Sequence, residues 1–123
     1  MKLLLSALSC SAALLFSGAA YSADMALMKE GNMMVDAKGM TVYTFDKDSG
    51  GKSMCNDACA KAWPPVMADA NAKPSGDMTI IARDDGTKQW AYKGKPVYTY
   101  IKDTKKGEAT GDNFKDIWHV VKP

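Results

Sequence analysis

The feature that most constrains this chain is an internal duplication. A shift of 55 positions lays Gly39-Met40-Thr41-Val42-Tyr43-Thr44-Phe45-Asp46-Lys47-Asp48 on Gly94-Lys95-Pro96-Val97-Tyr98-Thr99-Tyr100-Ile101-Lys102-Asp103, with six of ten pairs identical. The same shift pairs Gly31 with Gly86, Lys38 with Lys93, Asp57 with Asp112, Trp63 with Trp118 and Val66 with Val121. Over residues 25–66 against 80–121, 11 of 42 positions are identical without a gap. Fixed-period self-similarity means one supersecondary unit used twice. A half of this size is marginal alone, so the copies are expected to share one core as a single domain.

Each copy reads as β. In the second, Thr79-Ile80-Ile81-Ala82-Arg83 is a β-branched run stopped by Asp84-Asp85-Gly86. Gln89-Trp90-Ala91-Tyr92 follows, then Lys93-Gly94, then Val97-Tyr98-Thr99-Tyr100-Ile101. This is an antiparallel meander with glycine turns. The first copy follows the same plan, with Gly31 and Gly39 at its turns. A period of two puts Tyr43 and Phe45 on one face of their strand and Val42, Thr44 and Asp46 on the other. The aromatic face is the expected core face. Between the copies, 68–77 is small, polar and breaker-rich, a surface loop.

The N-terminus is different. One lysine, an apolar run and small residues near Ala20 and Ser22 make residues 1–22 a signal peptide, too short to span a membrane. The expected domain is 23–123, although cleavage after Ala23 is also open. Losing Lys2 leaves 15 basic against 14 acidic side chains, a net charge of +1. That gives no basic excess for nucleic acid, and no second apolar run suits a membrane span. The protein is therefore expected to be periplasmic or secreted. Cys10 sits inside the apolar run, which continues past it, so a lipid-attachment reading is weak.

Cys55 and Cys59 then remain, in an oxidising compartment. They stand on a short segment, capped by Ser53 or Asn56 and stopped at Trp63 by Pro64-Pro65, that reads as a helix. Cysteines at i and i+4 share a helix face within disulfide range, and two thiols without a third partner most simply join each other. Their second-copy counterparts are Thr110 and Phe114, so the pair is not part of what the copies share. Two alternatives stay open. A cysteine near a helix N-terminus would be a reactive thiolate, although C-x3-C is not the usual redox spacing. Thiolates with Met28 and His119 would suit Cu(I), a soft ion. Against copper, methionine is an ordinary core filler and no ligand spacing beyond Met25-x-x-Met28 is visible. Two cysteines and one histidine also fall short of a zinc set.

The pattern Tyr-x-aromatic-x-x-Asp occurs twice, as Tyr43, Phe45, Asp48 and as Tyr98, Tyr100, Asp103. With Cys55-x3-Cys59 leading to Trp63-Pro64-Pro65, and Gln89-Trp90-Ala91-Tyr92 leading to Gly94-Lys95-Pro96-Val97-Tyr98, it resembles the bacterial family of secreted repeats and predicted lipoproteins with the Yx(FWY)xxD motif. The resemblance covers nearly the whole expected mature chain and implies export. It implies no activity, because that family is known as one without an established function.

Duplication itself bears on the motif. A feature kept in both copies serves what both share, which is the fold. Each Asp is therefore read as capping the turn after its strand, helped by Gly50-Gly51 and by Gly107, ahead of acid–base chemistry. No nucleophile–base set or phosphate-cradling loop is present, so no catalytic residue, enzyme activity or resident cofactor is expected. Trp90, Tyr92, Tyr98, Tyr100 and Trp118 crowd the second copy as core, or as an aromatic surface for a glycan or peptide. The expected protein is mainly β, two tandem antiparallel meander repeats with one short C-x3-C helix. Its expected role is an exported, non-enzymatic binding or envelope-associated structural module, with an unidentified envelope ligand or protein as partner. Copper or redox handling by Cys55 and Cys59 is the alternative.

Overall fold

The computed structural model describes residues 26–123. The segment 1–22 read as a signal peptide, with its Cys10, and Met25 lie outside them. The elements are β1 (Leu27–Glu30), β2 (Met33–Asp36), β3 (Tyr43–Phe45), α1 (Ala58–Ala62), β4 (Met78–Ala82), β5 (Lys88–Tyr92), β6 (Lys95–Pro96), a 3-10 turn at Phe114–Asp116 and β7 (Trp118–Val120). All strand pairing is antiparallel, and the architecture is mainly β with two repeats.

The copies are interlocked. β1–β2 is a local hairpin in the first copy, and β4–β5–β6 is a local three-stranded sheet in the second. From there each chain crosses over. β3 of the first copy pairs with β7 of the second, Tyr43 opposite Val120. In the mirrored relation Tyr98 bridges Pro65. At the centre Tyr43 and Tyr98 bond each other: the Tyr43 N–H donates to the Tyr98 carbonyl at 2.7 Å, and the Tyr98 N–H to the Tyr43 carbonyl at 2.9 Å. A local pseudo-two-fold axis passes between these two backbones.

The expected meander is present in the second copy as β4–β5–β6, but its third strand differs from the expected Val97–Ile101: only Lys95–Pro96 extends the local sheet, and Tyr98 belongs to the crossing. Pro96 lacks an N–H to donate, so it suits the edge at which the chain leaves. The ungapped alignment needs one correction too. Val42 donates to the carbonyl of Met34, and its counterpart Val97 donates to that of Trp90. The segment from Met34 to Val42 is therefore one residue longer than that from Trp90 to Val97, and along β2 the structural offset is 56.

Both faces of the crossing are buried, the Val42 face as well as the aromatic face expected to be the core. Val42, Val97 and Val121 join Leu27, Met78 and Trp90 in one cluster. Tyr43, Tyr98 and Val120 join Cys55, Trp63, Tyr100 and Trp118 in another. Val42 and Tyr43 are both 0% exposed, because the hairpins cover one face and the segments carrying Trp63 and Trp118 cover the other. Period two separates the faces but does not say which is covered.

Helix α1 begins after Asp57 and ends at Trp63, as Pro64-Pro65 require. Neither expected cap holds, since no side chain caps it. The Ser53 hydroxyl accepts instead from the Cys55 N–H, and the Asn56 side chain bonds Arg83 and Asp84. Only Cys59 is helical; Cys55 precedes the helix, with its Cα 5.1 Å from that of Cys59 across the disulfide bond.

Candidate functional site

Crossing the copies completes the motif. The Tyr43 hydroxyl donates to Asp103 Oδ2 at 2.6 Å, and the Tyr98 hydroxyl donates to Asp48 Oδ2 at 2.6 Å. Each tyrosine thus bonds the aspartate of the other copy. The remaining oxygens close local loops: Asp48 Oδ1 accepts from the Met54 N–H at 2.6 Å, and Asp103 Oδ1 from the Thr110 N–H at 2.9 Å. The hydroxyl of Thr110 also donates to Asp103 Oδ1. Burial, with the adjacent carboxylate, pushes both phenols well above their usual range. Burial likewise raises the Asp48 carboxyl, against the hydrogen bonds from Tyr98 and Met54 that lower it.

The motif's other aromatics form a stack on the axis. Trp63 and Trp118 lie 3.9 Å apart and 3° from parallel. Tyr100 stacks on the outer face of Trp63 at 3.9 Å, and Phe45 on the outer face of Trp118 at 4.2 Å. The four rings are two equivalent pairs, so the order Phe45, Trp118, Trp63, Tyr100 is itself pseudo-symmetric. Such stacking adds about 0.5–1.5 kcal/mol per pair beyond burial. It also occupies the indole faces that a sugar would otherwise use. Gly111 allows the close fit, because a Cβ there would stand 2.5 Å from a Trp63 ring carbon and 2.9 Å from Tyr100.

A groove of about 460 Å³ lies along this stack. Its walls are four equivalent pairs, Phe45 with Tyr100, Cys59 with Phe114, Ala62 with Ile117, and Trp63 with Trp118. The groove therefore straddles the axis. Three further lining residues, Ile101, Lys102 and Lys115, come from the second copy alone. Ile101 is 61% exposed and Phe114 37%, which makes an apolar lip with two lysines beside it. Near that lip Asn113, Lys115 and Asp116 have φ of 63°, 51° and 62°, a left-handed conformation costly for residues with a Cβ.

The other candidate residues are dispersed. His119 Nε2 lies 2.8 Å from Asp46 Oδ2, and its Nδ1 lies 3.1 Å from Asn113 Oδ1. Met28 is exposed on β1. Among the described residues, no group of three or more His, Cys, Asp or Glu is placed to hold a metal ion. The proposed aromatic surface also divides. Trp90 is in the first cluster with Tyr92 packed against it, whereas Tyr98, Tyr100 and Trp118 are in the second.

Sequence reading missed a buried polar network. The Arg83 guanidinium, 7% exposed, donates to the Cys55 carbonyl at 2.6 Å, Gln89 Oε1 at 2.7 Å and Ser53 Oγ at 3.1 Å. Ser53 Oγ is 2.6 Å from the Tyr98 hydroxyl, which joins the arginine to the motif. Gln89 donates on to the Val97 carbonyl at 2.8 Å. An arginine at the end of a strand, before Asp-Asp-Gly, carries no signal of such burial. Two of its partners, Ser53 and Cys55, come from a loop 30 and 28 residues away.

Residues 26–67 and 79–122 each match the model of a family described as a secreted repeat of unknown function. No curated protein and no solved structure matches the chain. No helix among the described residues is long and apolar enough to cross a membrane.

Proposed function

The chain belongs to the Lipoprotein_15 family of secreted repeats of unknown function, and from that premise we propose that it is an exported, non-enzymatic binding module whose ligand lies in the groove over Trp63 and Trp118. In this reading the protein works outside the cytoplasm, in the periplasm or beyond it. The ligand is a small apolar acid, such as an aromatic or branched aliphatic carboxylate. The observation that carries the reading is the apolar lip of Ile101 and Phe114 beside Lys102 and Lys115. Ile101, Phe114 and Lys115 replace Asp46, Cys59 and Ala60 of the first copy, so the shared fold does not require them. Lys102, kept as Lys47 in the first copy, supplies a second positive charge at the groove.

Backbone strain beside the lip supports the same place. Conformations such as those at Asn113, Lys115 and Asp116 persist where the surroundings enforce them, and they concentrate at binding sites. The paired tyrosines and aspartates are spent on one another and on loop closure, which supports a role without acid–base chemistry.

Titration of tryptophan fluorescence with phenylacetate and 4-methylpentanoate tests the reading, because two of the three tryptophans floor the groove. A saturable change is expected, weakened at least several-fold by Ile101→Asp and by Lys115→Glu without loss of thermal stability. No saturable change with either acid, or binding indifferent to both substitutions, would reject the groove as the seat.

A further inference from the structure

The pseudo-two-fold relation also produces a pair of equivalent hollows off the axis, and their linings have diverged. One, of about 350 Å³, is lined in part by Asp36, Lys38, Pro64, Pro65, Met67 and Thr99. The other, of about 320 Å³, has Thr44 where the first has Thr99, His119 for Pro64, Val120 for Pro65, and Lys122 for Met67. Lys93 and Lys95, from the β5–β6 turn, complete its rim, where the first hollow has the Asp36–Lys38 turn. The fold makes the hollow twice, so its shape needs no functional explanation. Its charge does.

We propose that the hollow between β7 and the β5–β6 turn is a binding site for a small polyvalent oxyanion, one carrying two or more phosphate or carboxylate groups. Three lysines, Lys93, Lys95 and Lys122, line it, and none is in an ion pair among the described residues. Asp46, the one carboxylate in the lining, is engaged 2.8 Å from His119 Nε2. In the twin hollow the one lysine, Lys38, is accompanied by Asp36.

One of the three, Lys93, is partly positioned. Lys93 occupies the turn at φ 52°, its N–H donates to the Asp77 carbonyl at 2.7 Å, and its ammonium stands 5.3 Å over the Tyr92 ring. Like charges gathered around one concavity repel, and a solvated surface that needs only solubility disperses them. A polyvalent anion relieves that repulsion, and a concave wall of low dielectric strengthens its attraction. This site is separate from the groove over the tryptophans and uses none of its residues.

Calorimetry of the mature protein with inorganic pyrophosphate and with citrate tests the site. One equivalent should bind at low ionic strength, with affinity falling as the Debye length shortens from about 30 Å at 0.01 M to about 10 Å at 0.1 M salt. Lys93→Gln, Lys95→Gln and Lys122→Gln should each weaken binding by roughly two- to five-fold, and the triple variant should abolish it. Lys38→Gln, in the twin hollow, should change nothing. Preference for pyrophosphate identifies phosphate chemistry, and preference for citrate identifies carboxylate chemistry. The proposal is overturned by no binding of either anion, by binding that survives in the folded triple variant, or by equal weakening in Lys38→Gln.

Discussion

Tyr43 and Asp103 stand 60 residues apart in sequence and 2.6 Å apart in space. Tyr98 and Asp48 repeat the bond in the opposite sense. The motif that each copy carries is therefore satisfied only when both copies are present and crossed. Its repetition within the chain matches a two-way clasp, with each aspartate holding its own loop by one oxygen and the other copy by the second.

Alkaline pH should weaken the fold through these tyrosines. Both phenols ionise higher in the folded protein than the usual value of about 10. Above that pH the unfolded chain releases protons that the folded chain retains, so stability falls as pH rises. Each tyrosine contributes a slope of up to about 1.4 kcal/mol per pH unit until its folded value is reached. Denaturant titrations between pH 8 and about 11.5 should show the decline. A Tyr43→Phe, Tyr98→Phe double variant should be less stable at pH 8 but lose less above pH 10.

Arg83 should be hard to replace. Its guanidinium donates to Ser53, Gln89 and the Cys55 carbonyl in a space without bulk water. Arg83→Ala leaves these acceptors buried and unpaired, for an expected loss of about 3–5 kcal/mol. Arg83→Lys should rescue little, since one ammonium lacks the two-pronged geometry. Chemical denaturation of the two variants checks this, and near-complete rescue by lysine would contradict it.

The disulfide should be a modest brace. Closing a five-residue ring between Cys55 and Cys59 restricts the unfolded chain by about 2 kcal/mol. Replacing both cysteines by serine should cost about that amount, with a further contribution from the polar hydroxyl at the fully buried Cys55 position. Circular dichroism should still report a folded β protein. The second copy keeps the equivalent contacts with Thr110 bonded to Asp103 and Phe114 beside Trp63.

Much of this organisation is legible in the chain because the duplication supplies its own alignment. Paired positions announce shared roles, and Trp63 and Trp118 do occupy equivalent buried places, at 4% and 2% exposure. Equivalence does not name partners, however. Tyr43 is as consistent with Asp48 of its own copy as with Asp103, and only the crossing of β3 to β7 decides between them. The burial of Val42, just before β3, is hidden for a related reason, since alternation cannot report what covers a strand's second face. Ser53, Arg83 and Gln89 have no identical counterparts in the other copy, so the comparison that exposed the motif was silent about them.

The central claim is that the two copies are clasped through each other's motifs, and a pair of double-mutant cycles measures it directly. Tyr43→Phe should couple to Asp103→Ala by about 1 kcal/mol or more, because the hydroxyl and carboxylate bond each other out of water. Tyr43→Phe with Asp48→Ala, within one motif, should be additive to about 0.5 kcal/mol. Coupling of Tyr43 to Asp48, with none to Asp103, would contradict the clasp and return each motif to its own copy.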